Sequence, residues 1–113
     1  YSIERIKEIY DFAKNNLKKI NIVNVNLSIG DGTVGWQEEA PFDRIIITGA
    51  IPGVPSELEK QINKNDGIII APVGTEMFQR IYKVKYYKGV KKIEEKIGCI
   101  FVSIYGKYGF KEN

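Results

Sequence analysis

Two short runs of isoleucine constrain the fold of this chain more than any other feature. Residues 45–47 are all isoleucine, and residues 68–71 read Ile-Ile-Ile-Ala, so neither run alternates apolar with polar side chains. Uninterrupted apolar runs of this length are typical of strands buried on both faces, as in sheets covered by helices. Turn-forming residues end both runs, at Thr48-Gly49 and at Pro72-Val73-Gly74. The runs therefore predict two buried strands of an α/β protein.

The segments around these runs have helical or extended patterns. Apolar residues recur every three or four positions over residues 5–19, which predicts an amphipathic helix there. Residues 1–3 are expected to end a strand that leads into this helix. Residues 23–29 alternate apolar with polar side chains, the pattern of a half-exposed strand at a sheet edge. A second, short helix is predicted over residues 56–63.

The chain is expected to finish in a β-hairpin. Its strands are predicted at residues 78–87 and 97–105, joined by a connection rich in Lys and Glu. The predicted order is therefore β, α, β, β, α, β and then the hairpin. Parallel strands that alternate with helices indicate an open, mostly parallel α/β sheet closed by an antiparallel hairpin. With 113 residues, the chain allows one domain at most.

Composition excludes several classes of function. The net charge of +3 comes from 17 basic and 14 acidic residues that are interspersed, so no basic block indicates a nucleic-acid partner. The lysine-rich stretch at residues 83–96 also contains Glu94 and Glu95, and we interpret it as a solvated hairpin rather than a binding patch. The chain has no histidine, which excludes histidine-based acid–base catalysis and histidine-ligated metals from these residues. We predict no metal site.

One cysteine, Cys99, lies in an apolar stretch near the end of the chain. A single thiol cannot form an intramolecular disulfide, so we expect a buried structural residue in a reducing compartment. No run of about 18 apolar residues indicates a membrane span, and no leader pattern opens the sequence. The expected location is the cytoplasm, without a membrane partner.

Polar side chains follow two of the predicted strands in the first third of the chain. Ligands of open α/β sheets lie outside the carboxyl ends of the strands. After the first strand, the Glu4 carboxylate either accepts hydrogen bonds from ribose hydroxyls or stabilises the positive end of the helix. Asp31, between Gly30 and Gly32, either accepts a hydrogen bond from the amino group of a flat ring or belongs to a plain turn.

A third strand end carries Thr48 and Gly49. These residues offer a hydroxyl and accessible backbone to a ligand, although Gly49 equally permits a sharp bend. Because three strand ends on one edge carry a carboxylate or a hydroxyl, we expect a nucleotide-like ligand there. The pattern alone does not separate an S-adenosylmethionine site from a dinucleotide site.

Several short motifs also follow one another in a characteristic order. They are YSIER (1–5), FAKNNL (12–17), GDG (30–32), EAPFDRIIIT (39–48), QINKNDGIIIAPVG (61–74) and GKYGF (106–110). No single motif is specific, but the ordered set is, and it extends over nearly the whole chain. The set resembles the carboxyl-terminal half of the protein-L-isoaspartate O-methyltransferase family.

This resemblance implies a fold, a cofactor and a reaction. The fold would be part of the class I methyltransferase (Rossmann-like) sheet, and the cofactor would be S-adenosyl-L-methionine. Glu4 would bind its ribose, Asp31 with Gly32 would meet its adenine, and Thr48 with Gly49 would edge the pocket. The reaction would methylate the carboxylate of L-isoaspartyl residues in damaged proteins and peptides. No catalytic residue is assigned, because a carboxylate is already a competent nucleophile and the enzyme mainly positions the reactants.

The resemblance also implies that an amino-terminal half, with a glycine-rich cofactor loop and a substrate-binding Ser/Thr segment, is missing from this sequence. In the family's strand order a missing strand would lie between the strands at residues 1–3 and 44–48. Both neighbours would then have unpaired edges, so we expect the 113 residues alone not to form a stable, active domain. The rest of the polypeptide or a swapped partner would supply the strand. Two alternatives stay open: another S-adenosylmethionine-dependent methyltransferase, and a truncated, non-catalytic remnant.

Three departures from the family's pattern lie outside the proposed ribose and adenine contacts. Gly49 stands where alanine is common, and Ser103 replaces a usual proline after Phe101-Val102. The turn Asn65-Asp66-Gly67 is one residue longer than the common glycine pair. Ser103 falls in a region that the family uses around its substrate pocket. We therefore expect the change at Ser103 to affect recognition of the peptide substrate.

Overall fold

The computed structural model describes all residues, Tyr1–Asn113. Its elements are β1 (Ser2–Glu4), α1 (Lys7–Lys19), β2 (Leu27–Ile29), β3 (Arg44–Ile46), α2 (Ser56–Gln61), β4 (Ile68–Gly74), β5 (Gln79–Tyr87) and β6 (Val90–Cys99). Two 3₁₀ turns, Gly32–Val34 and Gln37–Glu39, lie between β2 and β3. The predicted order of elements is confirmed.

The strands form two separate sheets. β1 pairs with β2 in parallel, whereas β3, β4, β5 and β6 form a second sheet in that order. Within the second sheet, β3 and β4 are parallel, and the other two pairings are antiparallel. The predicted α/β class is confirmed, with a mixed second sheet. No strand lies between β1 and β3.

The core is small and lies where the end of α2 meets the second sheet. Ile62, directly after α2, packs with Ile69 of β4 and with Val84 and Tyr86 of β5. Only 16 of the 113 residues are buried, and α1 buries none of its residues despite its amphipathic pattern. Much of the apolar surface of the first βαβ unit is consequently exposed.

Local contacts shorten two of the predicted elements. The helix predicted from residue 5 begins at Lys7, because Ile6 has extended backbone and its N–H donates to the Glu4 carboxylate. The strand predicted over residues 23–29 is restricted to Leu27–Ile29 because β1 offers only three partner positions. It does lie at a sheet edge, as expected.

The prediction of the hairpin was wrong in its second strand. Lys88 and Gly89, both with positive φ, make the turn, so β6 begins at Val90 rather than at residue 97. The Lys/Glu-rich stretch is thus the strand itself, and charged side chains suit it because β6 is a sheet edge. β4 also continues beyond its predicted end at residue 71 to Gly74, since Pro72 and Val73 still pair with β5.

Two predictions of burial were also wrong. Ile46 of β3 is 72% exposed, because β3 is an edge strand of the second sheet, whereas Ile69 of β4 is fully buried as predicted. Cys99 is half-buried rather than buried, and its Sγ lies 3.6 Å from the carbonyl oxygen of Gln79. Neither helix has the length and apolar character that crossing a bilayer requires.

Candidate functional site

A cleft of about 300 Å³ separates the two sheets. Residues Tyr1 to Ile3 line one side, and residues Arg44 to Thr48 line the other. Gly32 and Thr33 from the loop after β2 contribute to the same cleft. Of the predicted site residues, Gly32 and Thr48 line this cleft, whereas Glu4, Asp31 and Gly49 do not.

The strand edges that face this cleft have no strand to pair with. The carbonyl of Asp43 accepts from Ile68 and the N–H of Ile47 donates to Ile70, so these alternate residues of the β3 segment point toward β4. Because successive backbone groups of a strand point in opposite directions, those of Ile46 face the cleft. The cleft is bordered by β1 and β3, each of which belongs to a parallel pair and is an edge strand of its sheet.

Glu4 is the last residue of β1 rather than the residue after it. Its Oε1 accepts a 2.9 Å hydrogen bond from the backbone N–H of Ile6, which holds the start of α1. Its Oε2 has no hydrogen-bond partner within the chain, and the side chain is half-buried. Both roles considered for Glu4 are thus geometrically compatible, since one oxygen serves the helix and the other is free for a ligand.

Asp31 is held by hydrogen bonds from both sides. Its Oδ1 accepts from the N–H and the hydroxyl of Thr33 at 2.8 and 2.6 Å. Its Oδ2 accepts from the backbone N–H of Lys107 at 2.7 Å. A carboxylate has about four acceptor positions, so one position on Oδ2 stays free for an external donor. Asp31 lies beside Glu4, because the Gly30 N–H donates to the Glu4 carbonyl at 3.1 Å.

The same contacts keep the Asp31 carboxylate ionised. Burial acts to raise the pKa of Asp31, but the hydrogen bonds from Lys107 and Thr33 and the positive charge of Arg5 outweigh this effect. The pKa of Asp31 consequently lies below its ordinary value. An ionised carboxylate acts only as an acceptor, which suits a donor such as an aromatic amino group.

Thr48 and Gly49 occupy different environments. Thr48 lines the cleft and is exposed, so its hydroxyl is available to a ligand. Gly49 is buried, and a Cβ there would lie 2.5 Å from Cγ1 of Ile104 and 2.9 Å from the carbonyl oxygen of Val102. This close approach leaves no room for a larger side chain at Gly49. In this structure Gly49 supports the chain behind the cleft, whereas Gly32 lines the cleft itself.

Sequence reasoning did not assign a role to Gln61, which shapes the loop after β2. Its side chain accepts from the N–H of Trp36 at 2.9 Å and donates to the carbonyl of Val34 at 2.9 Å. Gly35, with φ of 72°, lies so close that a Cβ there would be 2.2 Å from the Gln61 Oε1. The partners are 25 or more positions apart, so no local pattern could have revealed the contact.

Thr33 was also missed, although a local signal existed for it. It follows Asp31 by two positions, the spacing at which an aspartate side chain accepts from a backbone N–H at a turn. Thr33 is 3% exposed, and its hydroxyl also accepts a 3.1 Å hydrogen bond from the N–H of Tyr108. No group of three or more Cys, Asp or Glu side chains could hold a metal ion.

Comparisons with known proteins point to one family. The family model described as Protein-L-isoaspartate(D-aspartate) O-methyltransferase (PCMT) matches residues 1–109. Among curated relatives, the protein-L-isoaspartate O-methyltransferase of Dictyoglomus turgidum is 40% identical over 112 residues, 99% of this chain and 50% of the relative. That of Dictyoglomus thermophilum is 42% identical over 113 residues, again 99% and 50%. The chain spans about half the length of the curated relatives it matches.

Solved structures share the fold. A protein-L-isoaspartate O-methyltransferase structure superimposes with a TM-score of 0.85 at 27% identity, covering 96% of this chain and 34% of that one. A Plasmodium falciparum protein, described as a beta-aspartate methyltransferase in complex with S-adenosyl-L-homocysteine, gives a TM-score of 0.77 at 22% identity, covering 91% and 50%. Since the family model and the relatives align over nearly the whole chain, this chain belongs to the protein-L-isoaspartate O-methyltransferase family.

Proposed function

We propose that the chain is the carboxyl-terminal portion of an enzyme that methylates L-isoaspartyl residues of damaged proteins and peptides, with S-adenosyl-L-methionine as methyl donor. The observation that carries this proposal is the family match over residues 1–109, which includes Glu4, Asp31 and Thr48 at the three strand ends. The Plasmodium falciparum protein described above is in complex with S-adenosyl-L-homocysteine, the form of this cofactor that lacks the methyl group.

The residues present fit the nucleoside part of this cofactor. We assign the free Oε2 of Glu4 to the ribose hydroxyls, because a carboxylate oxygen is a strong acceptor for a hydroxyl donor. We assign the free acceptor position of Asp31 to the adenine amino group, with Gly32 leaving room for the flat ring. Thr48, exposed in the cleft, and Gly49 behind it would form the edge of the pocket.

When bound, S-adenosyl-L-methionine would supply an electrophilic methyl group, whose transfer to the substrate carboxylate would give a methyl ester and leave S-adenosyl-L-homocysteine. This chain contributes positioning rather than acid–base chemistry, in keeping with its lack of histidine. Glu4 and Asp31 would hold the nucleoside end of the cofactor. The ester would then close to a succinimide as the following backbone nitrogen attacks it and methanol leaves, and hydrolysis of the succinimide would return part of the residue to aspartate.

We further propose that residues 1–113 are one part of a single domain that is completed by a strand between β1 and β3. Two parallel edges with unpaired backbone groups border the cleft, and Ile46 of β3 is 72% exposed there. A parallel strand with apolar side chains satisfies both edges and covers this surface. We assign this strand to an amino-terminal half of the same polypeptide; the alternative source is a strand exchanged from a second copy.

A transfer assay tests the function. The complete protein, in which this chain is joined to the other half, is incubated with S-adenosyl-L-methionine and a peptide containing L-isoaspartate. We expect methyl transfer to this peptide and none to the matched peptide containing ordinary aspartate. Transfer to neither peptide, with cofactor binding intact, would indicate another methyltransferase. Absence of both binding and transfer would support the non-catalytic remnant.

Coexpression of the two halves as separate polypeptides tests the completed domain. Residues 1–113 alone are expected to unfold without a cooperative transition and to bind no S-adenosyl-L-homocysteine. Addition of the amino-terminal half should restore both properties. A cooperative, ligand-binding 113-residue monomer would contradict the proposal, and a ligand-binding dimer would instead support strand exchange.

We place the reaction in the cytoplasm, with isoaspartyl proteins as the partners and without nucleic acid or membrane. The lone Cys99 supports a reducing compartment, and the interspersed charges offer no surface for phosphate backbones.

A further inference from the structure

The end of the chain contacts both loops that carry the candidate nucleoside ligands. The N–H of Lys107 donates to Asp31 at 2.7 Å, and the N–H of Tyr108 donates to the Thr33 hydroxyl at 3.1 Å. Arg5, next to Glu4, makes a 2.6 Å salt bridge with Glu112. The contacts with Asp31 and Thr33 join residues 75 or more positions apart, so they depend on the tertiary fold alone.

These backbone donors are fixed in place by a tight turn at residues 106–109. The Gly109 N–H donates to the Gly106 carbonyl at 3.3 Å, and the Phe110 N–H donates to the Ile104 carbonyl at 2.8 Å. Gly106 packs so closely on Asp31 that a Cβ there would lie 2.2 Å from Oδ1 and 2.7 Å from Cγ. The 106–109 turn is therefore shaped to receive the carboxylate of Asp31.

The contacts leave Asp31 with one direction in which to accept another hydrogen bond. Thr33 occupies Oδ1 twice, and Lys107 occupies one position of Oδ2. Only the second position of Oδ2 is free, so the orientation of the carboxylate decides where an external donor must lie. That orientation is set by the turn, because Asp31 has no other partner outside its own loop.

Resting on the function proposed above, we infer that the 106–109 turn positions Asp31 to read the adenine amino group, with Thr33 as the link between them. The turn itself does not touch the base. By orienting Asp31, the turn determines how well the site distinguishes adenine from a purine that has a carbonyl oxygen in place of the amino group. Such an oxygen would face the Asp31 carboxylate, and two acceptors cannot form a hydrogen bond with each other.

Gly106→Ala tests the turn with little damage to the fold. The atoms that its Cβ would meet belong to the end of the Asp31 side chain and not to the backbone, so the carboxylate can rotate away. Gly53→Ala is the matched control, since a Cβ at Gly53 has nothing within 4 Å. Both changes add one methyl group to a glycine in a loop.

A second pair of variants tests the link. Thr33→Val keeps the shape of the buried side chain but removes the hydroxyl that joins Asp31 to the Tyr108 N–H. Thr33→Ser keeps that hydroxyl and is the conservative rescue. Asp31→Asn shows the selectivity expected when the carboxylate is lost altogether.

Calorimetric titration of the complete protein with S-adenosylhomocysteine and with S-inosylhomocysteine gives the readout, the ratio of the two dissociation constants. We expect the unmodified protein, Gly53→Ala and Thr33→Ser to prefer the adenosyl compound by about tenfold to a hundredfold, the scale of one hydrogen bond to a charged group. In Gly106→Ala and Thr33→Val the ratio should fall toward the value of Asp31→Asn.

If the ratio of the two dissociation constants were unchanged in Gly106→Ala and Thr33→Val, the inference would be overturned. This holds even if the affinities for both compounds fell together, because a purely structural role of the turn predicts an equal loss for both. Equal binding of the two compounds by the unmodified protein would also overturn it while leaving the proposed methyltransferase intact. If the unmodified protein bound neither compound, the proposed function itself would fail.

Discussion

The side chain of Gln79 ties β5 to the segment that follows β6. Its Oε1 accepts a 2.7 Å hydrogen bond from the backbone N–H of Phe101, and its Nε2 donates to the carbonyl of Thr75 at 2.6 Å. Gln79 is completely buried, and no buried polar side-chain atom of the chain lacks a partner. This residue thereby fixes where residues 101–105 begin.

Replacement of Gln79 by Leu should destabilise the complete protein. The change removes two part-buried hydrogen bonds, each of which contributes about 0.5–1.5 kcal/mol. Urea denaturation measures the free energy of unfolding. Gln37→Leu is the control, because Gln37 is exposed; an equal loss in both variants would contradict the role assigned to Gln79.

Glu4→Gln should weaken the affinity of the complete protein for S-adenosylhomocysteine by about 1–3 kcal/mol, since a neutral amide replaces a charged acceptor of the ribose hydroxyls. Isothermal calorimetry measures this loss. Glu8→Gln makes the same chemical change on the exposed face of α1 and should leave the affinity unaltered. Unaltered affinity in Glu4→Gln would remove Glu4 from the ribose site.

Gly49→Ala should destabilise the complete protein by about 1–3 kcal/mol, the usual cost of an extra methyl group in a well-packed region. The added Cβ would lie 2.9 Å from the Val102 carbonyl oxygen, a backbone atom that cannot rotate away, and 2.5 Å from Ile104. Thermal or urea unfolding shows the effect against Gly53→Ala. Comparable stability of the two variants would mean that residues 102–104 move aside freely.

The stability of the complete protein should fall as the pH rises from about 10 to about 12. Burial of the Tyr86 phenol, together with its 2.9 Å hydrogen bond to Glu59, raises the pKa of Tyr86 from 10.0 to about 12. The unfolded chain therefore releases this proton at a lower pH than the folded chain, and the stabilising contribution is lost across that interval.

Tyr86→Phe removes this titration. The difference in free energy of unfolding between the unmodified protein and Tyr86→Phe should be constant below pH 10 and should decrease above it. Tyr87→Phe is the control, because Tyr87 is 57% exposed. A difference that stays constant up to pH 12 would show that the folded state does not perturb Tyr86.

The sequence by itself determined the order of helices and strands, the α/β class and the family. Helical and strand periodicities are local, so they are visible without coordinates, and the motifs of residues 39–48 and 61–74 are specific as an ordered set. The sequence also located Glu4, Asp31 and Thr48 at strand ends. The predicted boundaries of the strands and the direction of the chain show which residues come at the carboxyl end of each strand.

Only the tertiary structure decided which of these residues share a space and what holds them. It put Gly49 behind the cleft and joined Asp31 to Lys107, 76 positions away. It also placed the last strand in the Lys/Glu-rich stretch. The turn at Lys88-Gly89 starts this strand early, and charged side chains are tolerated there because β6 is a sheet edge. Such outcomes depend on packing between segments that are distant in the sequence. Hydrogen bonds between such segments produce no local pattern of residues from which they could be predicted.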